Sequence, residues 1–367
     1  MGQSNLAQAK LAKNDEFYTQ YHDIEKEINA YLEYNPYVFK DKIILLPCDD
    51  PEWSNFTKYF AQNFEKFKLK KLISTSYAVE SKTYKEGYQT TLFEEKSSKF
   101  DKKKSRIKGK IFTLTKDKTG DNRVDIDDLD WQYMEGDGDF RSKEVKKLRD
   151  EADIIITNPP FSLFREFLSW IVKAKKQFLI IGNMNAITYK EVFPLIKENK
   201  MWLGVISGAR TYLKPDKTKQ TMGNTCWFTN LEHGRRHKPL PLMTEAEVIK
   251  FVTKKPFEKY DNYDAIEVSS VKNIPSDYKG VMGVPISFLD KYSPEQFEIV
   301  GMCENEDLYK LKTKVYTTAE CKKAYLEKFD KGGTYDLNAS GVITKGHIKE
   351  KVYQRILIKH KRIKGKK

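Results

Sequence analysis

Residues 153–161 read Asp-Ile-Ile-Ile-Thr-Asn-Pro-Pro-Phe. The β-branched run predicts a buried strand, and the double proline ends it because proline has no N–H and fixes its own φ. Asn158 is then expected in an extended turn at the carboxyl end of a strand, where α/β sheets bind their ligands. Its carboxamide and the Pro159 carbonyl can accept hydrogen bonds from an exocyclic amine, and Phe161, after Pro160, can stack on a planar ring. This is the chemistry needed to alkylate the amino group of a nucleobase; the alternative is a strand-ending turn with a buried Phe161.

The flanking sequence alternates apolar strands with helical patterns. Strands are predicted at 42–46, 70–76, 177–181, 201–206 and 225–229, and helices at 20–34, 56–67, 162–175 and 189–199. This alternation predicts an α/β fold on a doubly wound, mostly parallel sheet. Residues 81–132 are charged and lysine-rich, and we interpret them as an insertion on the parallel core. After about residue 235 prolines punctuate short segments, so we expect one domain over residues 1–235 and a second module over residues 236–367.

The composition indicates a polyanionic partner. The chain has a formal net charge of +14 and a pI near 9.2, although a lysine-rich soluble protein without such a partner would show the same charge. Its cysteines are scattered and its histidines have no ligand spacing, which argues against a metal site or a disulfide scaffold. No apolar stretch reaches membrane-spanning length and no signal peptide is visible, so we expect a cytoplasmic protein.

A second candidate site follows the first predicted strand, at Pro47-Cys48-Asp49-Asp50. The loop between the first strand and the first helix of a doubly wound sheet is the usual cofactor site. It lacks the glycine pattern that binds a pyrophosphate. Its carboxylates suit a positively charged cofactor, such as a sulfonium with an α-ammonium group. The alternative is that Asp49 and Asp50 only cap the next helix.

Two further segments have polar and aromatic side chains that suit a ligand. In Gly136-Asp137-Gly138-Asp139-Phe140, the acid can accept a hydrogen bond from an adenine amine and the ring can stack on it. The alternatives are a glycine-rich turn or an acidic calcium loop, and the second lacks the further ligands. The segment Asn14–Thr19, with Tyr18 and Thr19, precedes the first helix and by itself is most simply a helix start.

Basic runs supply candidate contacts to phosphate. The residues predicted to bind DNA are Lys214, Lys217, Lys219, Arg235, Arg236, Lys359, Lys361 and Arg362. Each run alone is more typical of a solvated face, and only together do they predict a phosphate-binding surface.

Taken together, these segments resemble the EcoRI-type adenine-specific DNA methyltransferases, in order along the chain. The matching segments are 16–21, 48–51, 136–142, 158–164, 187–193, 259–266, 280–286 and 355–359. The resemblance spans nearly the whole chain and is weakest over 81–132, 207–223 and 301–350, where target sequence is expected to be read in part.

The resemblance implies a Rossmann-like methyltransferase domain, S-adenosyl-L-methionine as the methyl donor, and N6-methyladenine in duplex DNA as the product. It also implies that residues 236–367 form an α+β target-recognition region. The resemblance implies that Asn158, Pro159, Pro160 and Phe161 hold the target adenine. It implies that Asp49 or Asp50, with Cys48, lies near the methionine part of the donor, and that Pro47 and Asn158 also belong to the donor site. It further implies that Asp139 and Phe140 contact the donor's adenine and that Tyr18 and Thr19 close the pocket.

One departure from most methyltransferases concerns the donor's ribose. The second predicted strand ends in Ser74-Thr75-Ser76 rather than in an acid, which leaves Glu80 as a weak candidate for that contact.

The resemblance favours a monomer that forms no stable complex with a cognate restriction endonuclease, should the system contain one. It also favours a bacterial or phage origin. Three other functions stay open: an adenine methyltransferase acting on RNA, a protein-glutamine methyltransferase with a related motif, and a DNA-binding homologue that has lost activity.

Overall fold

The computed structural model describes residues 18–47, 49–51, 54–78, 97–120, 124, 126–213 and 218–361. Contacts divide the chain into two compact units, residues 1–234 and residues 235–367. The functional roles predicted for the two parts stay predictions.

The first unit is built on an eight-stranded sheet in the order β4-β3-β2-β1-β5-β6-β8-β7. Its strands are β1 (Ile43–Leu46), β2 (Lys71–Ser76), β3 (Lys110–Leu114), β4 (Asp130–Tyr133), β5 (Ile154–Thr157), β6 (Gln177–Asn183), β7 (Trp202–Leu213) and β8 (Lys219–Thr229). The four central strands β2, β1, β5 and β6 are parallel neighbours, so their carboxyl ends share one edge. The prediction of an α/β fold with a large, mostly parallel sheet is confirmed at this level.

Helices of the first unit contribute aromatic and aliphatic side chains to its core. They are α1 (Tyr21–Tyr34), α2 (Asn55–Gln62), α3 (Lys102–Ile107), α4 (Lys143–Glu151), α5 (Phe164–Lys173) and α6 (Phe193–Lys197). Ile24, Ile28 and Tyr31 of α1 recur at helical spacing and are fully buried, together with Phe60 of α2 and Ile156 of β5. These buried contacts pack α1 and α2 against the sheet.

The segment predicted as an insertion is in part an extension of the sheet. Strand β3 pairs antiparallel with β2, and β4 pairs antiparallel with β3, so both lie at one edge of the same sheet. Most side chains of β3 are buried. The run Lys110–Leu114 has a hairpin-like pattern in the sequence, but the charged residues around it favoured an insertion over an extension of the sheet. Residues 79–96 lie outside the described part of the chain.

The strands predicted at 201–206 and 225–229 are confirmed as the inner halves of β7 and β8. Beyond them, at 207–213 and 219–224, both strands continue as a long antiparallel hairpin. Its outer halves are polar, which is why no apolar pattern marked them as strands. The register of β7 shifts between Leu203 and Ser207, and Glu27 of α1 accepts the N–H groups of Val205 and Ile206 there, both at 2.9 Å. Burial raises the pKa of Glu27 to about 7, although these hydrogen bonds lower it.

The second unit has a four-stranded sheet in the order β11-β14-β10-β9, and a separate hairpin, β12–β13. Its elements are β9 (Ala265–Glu267), β10 (Val281–Pro285), β11 (Phe297–Met302), β12 (Val342–Lys345), β13 (Ile348–Lys351), β14 (Arg355–His360), α7 (Glu245–Val248) and α8 (Thr318–Phe329). Arg355 and Glu267 form a buried ion pair at 2.6 Å, and the Tyr260 hydroxyl also donates to Glu267. This pair ties β14 to β9 across the sheet.

Candidate active site

Asn158-Pro159-Pro160 leaves the sheet at the carboxyl end of β5, as the sequence predicted. Asn158 and Pro160 are half-buried and Pro159 is buried. The next ring, Phe161, is also half-buried and packs against the main core. Asn158 and one aromatic ring are thus partly exposed at the shared edge of the parallel strands, although the side-chain oxygen of Asn158 is itself buried.

Thr157, the last residue of β5, ties this turn to the loop after β1. Its hydroxyl donates a hydrogen bond to the Pro47 carbonyl at 2.9 Å. At the other end of the strand, Asp153 accepts a hydrogen bond from the N–H of Ile43 at 2.8 Å. Both ends of β5 are therefore fixed against β1, and the two loops meet at the carboxyl edge.

Asp49 is held in the loop after β1 by hydroxyl groups. The Ser54 hydroxyl donates to Asp49 Oδ1 at 2.7 Å, and the same oxygen of Ser54 caps α2 by accepting from Phe56 N–H. The Asp49 carbonyl accepts from the hydroxyls of Thr57 and Ser74. Main chain and carboxylate are thus fixed by α2 and β2.

The electrostatics of Asp49 suit a cation. Burial raises the pKa of Asp49 to about 7; the hydroxyls of Thr157 and Ser54 lower it, and the neighbouring charge of Asp50 raises it further. Asp49 is 6% exposed and its Oδ2 has no hydrogen-bond partner among the described residues. A buried carboxylate oxygen without a partner is costly, and a bound cation would satisfy it.

Tyr18 and Thr19 lie at the same edge of the sheet. Tyr18 exchanges two backbone hydrogen bonds with Leu213, the last residue of β7, at 2.8 and 3.0 Å. The Asn55 amide donates to the Thr19 carbonyl at 2.7 Å, which joins this segment to the start of α2. Thr19 is 2% exposed, and its hydroxyl has no hydrogen-bond partner among the described residues.

The loop Gly136–Phe140 packs onto the end of β2. Ala78 N–H donates to the Asp137 carbonyl at 2.8 Å. Gly138 has φ +91°, and a Cβ there would lie 2.4 Å from the Ser76 carbonyl oxygen, so only glycine fits. The loop therefore lies beside the strand end where the ribose contact was sought, and Glu80 lies outside the described residues.

Within this loop, the structure supports only part of the predicted contacts. Asp139 is half-buried and its carboxylate accepts from Arg141 Nε at 2.8 Å and Nη2 at 2.5 Å. Phe140 is fully buried, and its ring packs against Phe167 and Trp170 at centroid distances of 5.1 and 5.6 Å. A ring enclosed by α5 has no free face, so the stacking role predicted for Phe140 lacks support here.

The predicted phosphate contacts differ in exposure. Lys219 at the start of β8 and Lys361 are exposed, while Lys359 pairs with Glu298 at 3.3 Å. Arg235 is half-buried. Arg236 is 4% exposed, which corrects its assignment to an exposed basic surface. Cys48, Lys214, Lys217 and Arg362 lie outside the described residues.

Sequence reasoning missed the residues that support the site. Thr57, Ser74, Asn55 and the Thr157 hydroxyl act through contacts between segments far apart in the chain. Only Ser54 carried a local signal, as a serine just before a helical pattern.

Two kinds of feature are absent from the described residues. None of their histidine, cysteine, aspartate and glutamate side chains form a group that would hold a metal ion. None of their helices is long and apolar enough to cross a membrane.

Comparison with known proteins gives consistent matches over most of the chain. Residues 5–361 match the model of the family described as adenine-specific methyltransferase EcoRI. The Type II methyltransferase M.EcoRI of Escherichia coli is 45% identical, over 82% of this chain and 90% of its own length. M.MgeORF184P of Mycoplasma genitalium is 34% identical over 81% of this chain and 86% of its own length.

The Type II methyltransferase M.MpnI of Mycoplasma pneumoniae is 33% identical over 84% of this chain and 89% of its own length. No solved structure matches the chain.

Proposed function

This chain belongs to the EcoRI family of adenine-specific methyltransferases, and we propose that it transfers a methyl group from S-adenosyl-L-methionine to N6 of adenine in duplex DNA. The observation that carries the proposal is the link through Thr157, which fixes a half-buried amide, Asn158, beside the loop of a buried carboxylate, Asp49. One group suits an exocyclic amine and the other suits a cation. Methyl transfer from a cationic donor to the exocyclic amine of a base needs both of these groups.

The residues after β1 fit the methionine part of the donor. Asp49 Oδ2 is a buried acceptor with no partner among the described residues, as an α-ammonium group requires. The Thr19 hydroxyl, also buried and unpartnered there, offers a second polar contact. When bound, the donor supplies a methyl group on a positively charged sulfur, and the acidic pair Asp49 and Asp50 favours that charge. Cys48 and Pro47 complete this loop in the proposal.

Asn158 and Pro159 orient the target amine. The Asn158 side-chain oxygen and the Pro159 carbonyl accept the two N6 hydrogens, which directs the nitrogen lone pair at the methyl carbon. With the donor bound, N6 would take the methyl group as the S–C bond breaks, and the N6 proton would pass to solvent once the product leaves the site. Phe161 stacks on the adenine. Catalysis comes from position and from exclusion of water.

The adenine must leave the duplex to reach this edge, since its amine is inaccessible inside the helix. We therefore include base flipping in the proposal. Asp139 stays in it as a contact to the donor's adenine that is shared with Arg141, whereas Phe140 supports the loop from the core. Residues 236–367 are proposed to read the target sequence. The donor and DNA together suit a cytoplasmic enzyme.

The names of the relatives support a Type II restriction–modification context, which we propose for this chain as well. A methyltransferase acting on RNA is the second candidate, because the same Asn-Pro-Pro-Phe chemistry suits any unpaired adenine. The match extends to residue 361, well past the catalytic residues, and this favours DNA.

The test is methyl transfer by the purified chain. Protein is incubated with the donor and with unmethylated genomic DNA or structured RNA, and the nucleosides are then analysed by mass spectrometry. N6-methyladenine in duplex DNA is the expected result. If only RNA is methylated, RNA rather than DNA is the substrate. Failure to bind the donor would mark the chain as an inactive homologue.

A further inference from the structure

An apolar tip protrudes from the second unit at Phe251 and Val252. Their side chains are 61% and 45% exposed. The Phe251 ring makes no contact with another aromatic ring in the described part of the chain. Large apolar side chains exposed side by side are a feature of binding surfaces rather than of ordinary surface.

The backbone holds this tip away from the protein. Helix α7 continues into a π-helical turn, Ile249–Thr253, closed by a hydrogen bond from Lys254 N–H to the Ile249 carbonyl at 3.0 Å. Lys254 has φ +58°, in the left-handed region, and Val248 is fully buried and anchors the turn. Wide turns and left-handed non-glycine residues cost free energy and recur at functional sites.

Cations surround the tip. Lys250, Lys254 and Lys255 are exposed, and the Lys250 ammonium lies 5.1 Å from the centre of the Phe251 ring. Lys250 and Lys254 form no ion pair with any described residue, although the Lys254 ammonium donates to the Lys250 carbonyl at 2.6 Å. Lys255 has Glu258 at 3.6 Å. In residues 235–367, lysine and arginine outnumber aspartate and glutamate by three to two. An apolar tip flanked by cations that no described carboxylate neutralises is complementary to bases flanked by phosphates.

A second exposed phenylalanine in the same unit, Phe329, differs from Phe251 in its contacts. Phe329 is 47% exposed and has Lys328 over its ring, as Phe251 has Lys250. Its ring, however, packs on Tyr325 at 4.7 Å, and Lys328 pairs with Glu350 at 3.4 Å. Phe329 is therefore a matched control, because its ring packs on another aromatic ring and its lysine is neutralised by a carboxylate.

We propose that the Phe251–Val252 tip inserts into a groove of the duplex DNA substrate, with Lys250 and Lys254 on the adjacent phosphates. Apolar wedges flanked by cations are how proteins enter the minor groove, part stacked bases and kink the duplex. The inference rests on the proposed function for its partner. It adds a contact outside the candidate active site.

The test measures the affinity of full-length protein for a fluorescent duplex that the wild-type protein methylates, at several salt concentrations. Phe251→Ala should weaken binding roughly tenfold at every salt concentration, because it removes a stacking contact and no charge. Lys250→Ala and Lys254→Ala should each lower the slope of log K against log salt by about one. Phe329→Ala should leave both quantities unchanged.

Thermal unfolding and donor binding confirm that each variant is folded. Equal affinities of Phe251→Ala and wild type would overturn the tip contact while leaving methyl transfer intact. Self-association that Phe251→Ala abolishes would assign the tip to a second copy of the chain and also overturn it. A wild-type protein that methylates no DNA would count against the proposed function itself.

Discussion

Asn158 is the side chain on which the proposed transfer depends most directly. Asn158→Ala removes an acceptor for the N6 hydrogens, and we expect a loss of about 10²-fold or more in rate, comparable to the loss of one preorganised polar group in other enzymes. Single-turnover methylation at saturating donor measures it. Asn185→Ala, which changes an exposed asparagine just after β6, is the matched control. Near-normal turnover by a folded Asn158→Ala protein would contradict the assignment.

Asp49 should make donor binding depend on pH. Because its pKa is about 7 in the folded protein without donor, a cationic ligand needs a proton to leave, and affinity should rise as pH increases through about 7. Calorimetry from pH 6 to 8 in buffers of different ionisation enthalpy measures the donor affinity and the number of protons released on binding. Asp49→Asn should bind weakly and without this pH dependence.

Stability gives an independent readout for Asp49. A pKa raised above the ordinary value means that folding favours the protonated form, so this contribution is full at low pH and is lost as pH rises through about 7. As pH rises from the ordinary aspartate pKa of 3.8 to about 7, Asp49→Asn without donor should therefore lose less stability than wild type. Glu27, which also has a pKa of about 7, is present in both proteins and does not affect the difference.

Local motifs made part of this site predictable. The Asn158 turn and the Asp49 loop each follow an apolar strand, so their place at the sheet edge follows from the order of elements. Burial was not predictable in the same way. An isolated Phe140 has the same sequence signal whether its ring faces a ligand or the core, and its contacts with Phe167 and Trp170 depend on where α5 packs.

At the scale of an element, the loop Gly136–Phe140 depends on one glycine. Gly138→Ala places a Cβ against the Ser76 carbonyl at a positive φ, so we expect lower stability and weaker donor binding as the loop shifts from β2. Gly136→Ala is the control in the same loop, because its Cβ would meet nothing within 4 Å. Thermal unfolding and donor titration compare the two. Equal effects of the two substitutions would show that the fit against Ser76 does not matter.

The central strands were predictable, whereas β7 and β8 were predictable only in their inner halves, at 201–206 and 225–229. Strands β1, β5 and β6 are short, mostly apolar runs, because parallel strands covered on both faces need apolar side chains. Strand β2 is apolar only at Leu72 and Ile73, before Ser74-Thr75-Ser76. The β7–β8 hairpin is polar beyond the body of the sheet, so its sequence looks like a loop. Its register shift is satisfied by Glu27, a contact between residues 178 positions apart that no local pattern reveals.

At the scale of the whole molecule, charge should give DNA binding and donor binding different salt dependences. The net charge of +14 should make DNA affinity strongly salt-dependent, with a loss on the order of 10³-fold between about 50 and about 200 mM salt for about six phosphate contacts. Donor affinity should change little, because its proposed contacts are buried. Parallel titrations of DNA and donor at each salt concentration measure this. Equal salt dependence of both would contradict a buried donor site.

The division of the chain between Gly234 and Arg235 lies where the alternation of strands and helices ends in the sequence. A change in element order is visible without a structure, whereas the sheet of the second unit, with its crossed order β11-β14-β10-β9, is not. Its strands are short and come together from distant segments, and no apolar periodicity specifies which of them pair.

The hydrogen bond from Thr157 to the Pro47 carbonyl joins two loops that hold different ligands in the proposed reaction. Loops joined in this way cannot relax independently, so occupation of one should change the affinity of the other, and by linkage the change is the same in both directions. Thr157→Val keeps the shape and removes the bond. In this variant, donor affinities measured with and without a target duplex should differ less than they do in wild type. One buried hydroxyl would then couple the binding of the two substrates.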